Sequence, residues 1–443
     1  MTQVVVGGGF RGVCLAAALR RRGADVLLIE AGRGLGGVLR GADWEGLPAD
    51  LGCHLFTGGA TSLERMLHDV LEGAVADVQV SYATMTPTGR VDGVAVLDLT
   101  GLADRDTASA ELLAAAARDD EHLASDLRDR LLRRYGATAG LAAISAAERC
   151  ARVPAHTLAP GALDSLPLGR IRLLPTPEAL ALKRDPRVDG RLAVPAADRP
   201  TATNMVAQYP RSGGLRAFAD GLRPWLERLG VRVRTGAAIE AIELGGARLV
   251  LRDGEPIHAG HVWWTTAPEA LAALLHDDPD ALRGQPVPMV VHHFAVPMQQ
   301  IGPFTYIHDF RPGRRVYRAS TPGVYGGLVN AHGEGQVCAE VPCGLAEQAW
   351  TEAEAPDEAD RVWSELVSMG IVAGATPQRH RALKAAASLN YPRKGASAAF
   401  AEFTARLAAH TPRITAWSQG TYAKAALIDE AEALAEAAAQ GAG

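Results

Sequence analysis

The chain has 443 residues, of which 48% are hydrophobic and 21% charged, enough apolar material for a large core in more than one lobe. Its formal net charge of −5 and pI near 6.2 leave no basic footprint, so nucleic acid is not expected as a partner. No stretch approaches the roughly 18 uninterrupted apolar residues of a membrane span, and a short apolar segment runs straight into glycines at the N-terminus, without the charged region of a secretion signal. Five cysteines, at 14, 53, 150, 338 and 343, make no even framework and fit a reducing cytoplasm, the expected location.

Residues 3–6 read as an apolar strand, Gly7-Gly8-Gly9-Phe10-Arg11-Gly12 as a turn that opens a helix to residue 22, and 25–29 as a second strand ending on Glu30. From 101 to about 152 the pattern is helical, including 108–117 and 123–135. Residues 153–203 are rich in Pro, Asp and Arg and read as extended and loop structure, closing in a polar segment at 196–204. A helix over 215–229 follows Tyr209-Pro210-Arg211-Ser212-Gly213-Gly214, with strands at 231–235, 239–244 and 248–252. An apolar strand then runs from His261 to a turn at Pro268. Period-two runs between 287 and 341 predict antiparallel strands, and helices are expected over 357–369 and 422–439.

Two constellations are set aside. Cys338 and Cys343 lie in a strand-like context and are read as structural thiols, not a redox pair. His292 and His293 are adjacent in a strand and so point to opposite faces, which argues against a shared metal site.

The chemistry-bearing pattern is Gly7-x-Gly9-x-x-Gly12 between a strand and a helix, with Glu30 at the end of the next strand. Gly7 makes the tight turn, Gly9 lets a pyrophosphate approach the backbone, and Gly12 lets helix and strand pack closely. The helix N-terminus offers unpaired N–H groups and a positive dipole end to phosphates. Glu30 would accept hydrogen bonds from a ribose diol and repel a 2′-phosphate. These residues predict a dinucleotide-binding βαβ unit.

The run Glu30-Ala31-Gly32-Arg33-Gly34-Leu35-Gly36-Gly37-Val38 resembles the extended fingerprint of FAD-dependent amine oxidases, protoporphyrinogen oxidase and UDP-galactopyranose mutase. Asp50-Leu51-Gly52-Cys53-His54 resembles that family's Asp-x-Gly-x-His segment, and the 209–215 block and Thr265-Thr266-Ala267-Pro268 resemble two further family blocks. The likeness covers roughly half the chain. It implies FAD as cofactor, met by Gly7, Gly9, Phe10, Arg11 and Gly12 in the turn and by Glu30, Ala31 and Arg33 beyond it. Gly36, Gly37 and Val38 would lie on the flavin side, and Gly52, Cys53 and His54 at the isoalloxazine ring. Ile239 and Thr266 would meet the remaining parts of the cofactor, and Gly420, Thr421 and Tyr422 would receive it at the last helix. The family places a Gly-Arg pair before that helix; here Trp417-Ser418-Gln419-Gly420 has no arginine, which implies fewer phosphate contacts. No second Gly-x-Gly-x-x-Gly follows a strand, so no separate NAD(P)H domain is expected.

For the substrate, a small molecule, the resemblance and the residue types point to Tyr306, His308, Tyr317 and Arg318, with His54 and Arg318 as the catalytic candidates. Arginine suits this role because its planar fork holds phosphate or carboxylate in two parallel hydrogen bonds. The expected fold is α/β: a discontinuous Rossmann-like FAD-binding domain from 1–100, 205–290 and 385–443, and a mixed α+β substrate lobe from 101–204 and 291–384. The expected function is an FAD-dependent oxidoreductase that removes hydride from a C–N, C–C or C–O bond of a small metabolite in a biosynthetic pathway. Two readings stay beside it: a mutase-type enzyme using reduced FAD as a nucleophile on a nucleotide sugar, and a flavoprotein scaffold that has lost catalysis.

Overall fold

The computed structural model describes residues 1–57, 61–198, 206–243, 248–377, 379–417 and 423–440. Strand β1 (Gln3–Val6) leads through helix α1 (Phe10–Arg21) to strand β2 (Val26–Glu30). β1 lies at the centre of a five-stranded parallel sheet, paired with β2 on one side and with His261–Trp264 on the other. Arg232–Thr235 extends the sheet beyond β2, and Ile414–Ala416 extends it beyond His261–Trp264. A parallel sheet covered on both faces favours a run of β-branched residues, and Val4-Val5-Val6 supplies it. Val5 packs with α1, the Gly214–Leu229 helix and the Lys424–Gln440 helix. Val4 and Val6 face the opposite layer, where Ile242, Leu249 and Phe403 close the core.

The second sheet has seven strands, in the order 380–391, 285–297, 334–342, 318–320, 306–309, 82–86, 89–92. All neighbours are antiparallel except Tyr306–Asp309 against Tyr82–Thr86. One face rests on the helices Arg105–Arg118 and Leu127–Ala151 through Val287, Phe310, Tyr317 and Tyr135. The other is covered by Pro356–Met369, whose Val362, Trp363 and Leu366 pack on Phe294 and Val337.

This arrangement gives the expected α/β fold with a mixed second lobe, but the sheets do not divide the chain at the expected positions. Tyr82–Thr86 and Gly89–Asp92, inside the 1–100 segment, belong to the seven-stranded sheet, and the strands Gln285–Pro297 and His380–Tyr391 run across residues 290 and 385. Residues 153–198 also differ from the extended reading. Thr176–Leu182 and Pro186–Asp189 are helices, each with proline in its first turn, and Asp185 caps the second by accepting from the Arg187 amide. Proline fits the first helical turn because that turn has no N–H to lose, so it starts these helices instead of breaking them. Of the polar segment, 196–198 form a single turn, and 199–204 lie outside the described residues. Helices at Thr61–Val70 and Ala396–His410 add to the expected set.

Candidate cofactor site

The turn after β1 is built so that side chains cannot enter it. Gly7 has φ +111°, and its N–H donates to Ile29 O at 2.8 Å. A Cβ at Gly12 would stand 1.9 Å from Gly7 O, whereas a Cβ at Gly9 would meet nothing within 4 Å among the described residues. The backbone is therefore closed on the strand side and open at the start of α1. That helix has no side-chain cap and no acid in its first turn, which leaves its first amides for an anion. Glu30 closes the turn from the other side. One carboxylate oxygen accepts from Gly8 N–H at 2.7 Å and the other from Gly32 N–H at 2.6 Å; each keeps a lone pair for a further donor.

Gly36 and Gly37 dock on this same turn. Gly36 N–H donates to Gly8 O at 2.8 Å, and a Cβ at Gly37 would lie 3.3 Å from Gly9 Cα. Thr266 abuts Gly7, with its methyl 2.4 Å from where a Gly7 Cβ would stand. The Phe10 side chain is buried against Phe218, ring centres 6.4 Å apart, so only its backbone belongs to the turn. The Arg11 guanidinium lies over the Trp417 ring at 5.1 Å. Arg33 lines a cavity of about 460 Å³ with Arg40, Arg216 and Arg223. Ala31 is exposed, Val38 is 50% exposed, and Ile239 opens a strand paired with Leu251. Gly420, Thr421 and Tyr422, like Ser418 and Gln419, lie outside the described residues.

A second group forms where the segment after Asp50 meets the seven-stranded sheet. Cys53, Leu55, Tyr306, His308 and Arg318 line one cavity of about 190 Å³. Arg318 faces Glu340 across the sheet and binds it side-on, Nε to Oε1 at 2.7 Å and Nη2 to Oε2 at 2.9 Å. Oε1 also accepts from Cys53 N–H at 3.0 Å. Gly52 was expected to admit a ring system; the group that closes on it is the Glu340 carboxylate, whose nearest atom is 2.9 Å from a would-be Cβ.

His308 is held in one tautomer. Its Nδ1 lies 3.0 Å from Ala95 O, so Nδ1 carries the proton, and buried Nε2 is left as an acceptor with no partner among the described residues. Burial and the Arg318 charge press its pKa to about 3. His54 is likewise driven to about 3 by burial, then by Lys424 and Arg318. Its Nε2 is 3.1 Å from Leu51 O, and it is not among the residues lining the cavity. Tyr317 sits behind His308, ring centres 5.4 Å apart, in the core beneath the sheet, and does not line the cavity either. Of the four expected substrate residues, the fold thus gathers three.

Three residues absent from the expected set bear on the site. Glu340 was legible as a cross-strand partner of Arg318 once the two strands are paired. Asp50 takes the Tyr209 hydroxyl and the Leu215 amide, the latter at 3.1 Å, at the start of the Gly214–Leu229 helix; burial raises its pKa to about 6. Lys424 donates to Leu55 O at 2.9 Å. Elsewhere, His292 Nδ1 meets His380 Nε2 at 2.9 Å while His293 turns to Gln336, on opposite faces as expected. Among the described residues no cluster of His, Cys, Asp and Glu could hold a metal ion. Cys338 and Cys343 are both free.

The family model described as an NAD(P)-binding Rossmann-like domain matches residues 5–70. An "uncharacterized protein in nifH2 3′region" of Methanothermococcus thermolithotrophicus is 36% identical over 93 residues, 21% of this chain and 79% of that protein. The chain belongs to that protein's family. Among solved structures it is similar to reduced UDP-galactopyranose mutase, with TM-score 0.72 and 13% identity over 99% of this chain and 93% of that one. It is similar to a putative protoporphyrinogen oxidase from Exiguobacterium, with TM-score 0.67 and 17% identity over 99% of both chains. Putrescine oxidase bound to putrescine gives TM-score 0.64 and 14% identity, again over 99% of both. The chain has the fold that these three solved structures share.

Proposed function

We propose that the chain is an FAD-dependent oxidoreductase acting on a small molecule. The observation that carries this reading is the open N-terminus of α1 at Gly9, flanked by Glu30 and by the docked Gly36-Gly37 pair. Its amides would hold the pyrophosphate and Glu30 a ribose diol. Gly52, Cys53 and His54 would border the flavin end. Bound FAD supplies acceptance of a hydride from a C–N, C–C or C–O bond, with oxygen or an external carrier taking the electrons onward. The substrate would enter the cavity beside Cys53, where Arg318 orients an anionic or polar group and His308 accepts a hydrogen bond. Five free, buried thiols fit a reducing cytoplasm.

The test is the visible spectrum of the purified protein, before and after incubation with FAD, followed by anaerobic titration with alcohols, amines and amino acids. Flavin absorption that bleaches with one of them supports the reading; a protein that stays colourless with added FAD overturns it. A mutase reading is favoured by Arg318 at the cavity wall, where a sugar diphosphate would find a guanidinium. It predicts turnover of a nucleotide sugar only after chemical reduction, with no peroxide released.

A further inference from the structure

Arg40 lies along the outer side of the segment that follows β2, across three alternating glycines. A Cβ at Gly34 would stand 3.5 Å from its Cζ and 3.6 Å from Nε and Nη2, and a Cβ at Gly36 would stand 3.2 Å from its Cγ. An edge-on fork would bring a nitrogen closest; here Cζ is closest, so the guanidinium presents its face to Gly34. The glycines at 32, 34 and 36 leave a flat seat for it, and its N–H groups, which lie in the guanidinium plane, stay free to donate.

Arg40 and Arg33 line the cavity of about 460 Å³ with Arg216 and Arg223 from the Gly214–Leu229 helix. Leu35 and Ala219, which also line it, are 3% and 9% exposed and close its inner end. The acids in its wall are Asp43 and Asp220, so four guanidiniums meet two carboxylates and an excess of two positive charges remains. Arg216 pairs with Asp220 at 3.3 Å and Arg223 with Glu227 at 3.2 Å, exposed pairs that contribute little. Among the described residues Arg33 and Arg40 have no acid within ion-pair reach.

This cavity is separate from the dinucleotide turn. Gly36 N–H donates to Gly8 O and the Cβ position of Gly37 faces Gly9 Cα, whereas the Cβ position of Gly36 faces Arg40 and Ala219. The segment 33–37 is thus the wall between the open start of α1 and the four arginines.

We propose that the arginine-lined cavity is a second anion site, for a small molecule carrying a di- or triphosphate group. Arginine forks take phosphate oxygens two at a time. A chain of linked phosphates spans forks supplied by separate segments, which a single carboxylate does not. The volume is that of a small-molecule site. The proposal does not rest on the FAD reading.

The test is calorimetric titration of FAD-saturated protein with inorganic pyrophosphate and tripolyphosphate, against sulfate at matched ionic strength. Wild type is compared with Arg40→Met, Arg33→Met and, as a charge control, Arg187→Met, which removes an exposed arginine paired elsewhere with Asp185. Both phosphates should bind at least about tenfold more tightly than sulfate. Arg40→Met should weaken them about tenfold or more and Arg33→Met by a smaller factor, with Arg187→Met unchanged. Arg33 and Arg40 are exposed, so these variants should melt as wild type does. Binding no tighter than that of sulfate overturns the proposal. So does an equal loss in Arg187→Met, which would reduce the effect to net charge. Phosphate binding that FAD abolishes also overturns it, because the anion would then occupy the α1 amides. A chain that takes up no FAD would sink the flavoenzyme reading alone; the chain as purified is then titrated, and the Arg40→Met comparison still decides the cavity.

Discussion

Glu340 and Gly52 are in direct contact: the carboxylate occupies the space any side chain at residue 52 would need, 2.9 Å from the would-be Cβ. Residue 52 also has φ +107°, which L side chains avoid. Gly52→Ala therefore meets two obstacles at once and should cost about 2–4 kcal/mol, read as a lower denaturant midpoint. Because the displaced carboxylate would release Arg318, flavin retention should fall in the same variant. A Gly52→Ala protein as stable as wild type would show that Glu340 can move without cost.

The Arg318–Glu340 pair invites a double-mutant cycle. Glu340 is 5% exposed and holds both Arg318 and the Cys53 amide. Glu340→Leu leaves a guanidinium without its acid and should cost about 3–5 kcal/mol, whereas the double change Arg318→Met with Glu340→Leu should cost far less. Chemical unfolding of the four proteins gives the coupling. Additive losses would mean the two side chains act independently.

In the dinucleotide turn, Gly12→Val should abolish flavin retention outright, since its Cβ would lie 1.9 Å from Gly7 O. Glu30→Ala frees the Gly8 and Gly32 amides and should weaken FAD about tenfold or more while the fold persists. Flavin-to-protein ratio after gel filtration, with circular dichroism as the folding control, separates the two. Full retention of FAD by Glu30→Ala would remove Glu30 from the binding site.

These residues also show what a sequence can and cannot reveal. Gly7, Gly9, Gly12 and Glu30 were readable because their roles depend on local backbone and fixed spacing. Arg318 and His308 were readable as chemistry, but not as a constellation: their cavity needs Cys53 from a segment more than 250 residues away. Lys424 sits in an ordinary Ala-rich helix start and carries no local signal. The strand His380–Tyr391, His-Arg-Ala-Leu-Lys-Ala-Ala-Ala, has a composition suited to helix. It is a strand because Gln285–Pro297 offers it a full edge to pair with, which is tertiary context overriding propensity.

The last prediction concerns pH. Lys424 has its folded pKa depressed from 10.5 to about 8 by desolvation, so the fold prefers the neutral amine. The sign follows: its contribution to stability is fully present above 10.5 and is lost as pH falls through about 8. Lys424→Met removes this dependence. The apoprotein variant should therefore exceed wild type by on the order of 1–2 kcal/mol at pH 7, with the gap closing between pH 8 and 10.5. Buried thiols such as Cys53, raised to about 11, and Asp50, raised to about 6, also make stability depend on pH. They are common to both proteins and cancel in the difference, except where Cys53 feels the lysine itself. Thermal unfolding of the two proteins at pH 7, 8, 9 and 10 measures the gap. A difference that is flat across that range would place the Lys424 ammonium in water.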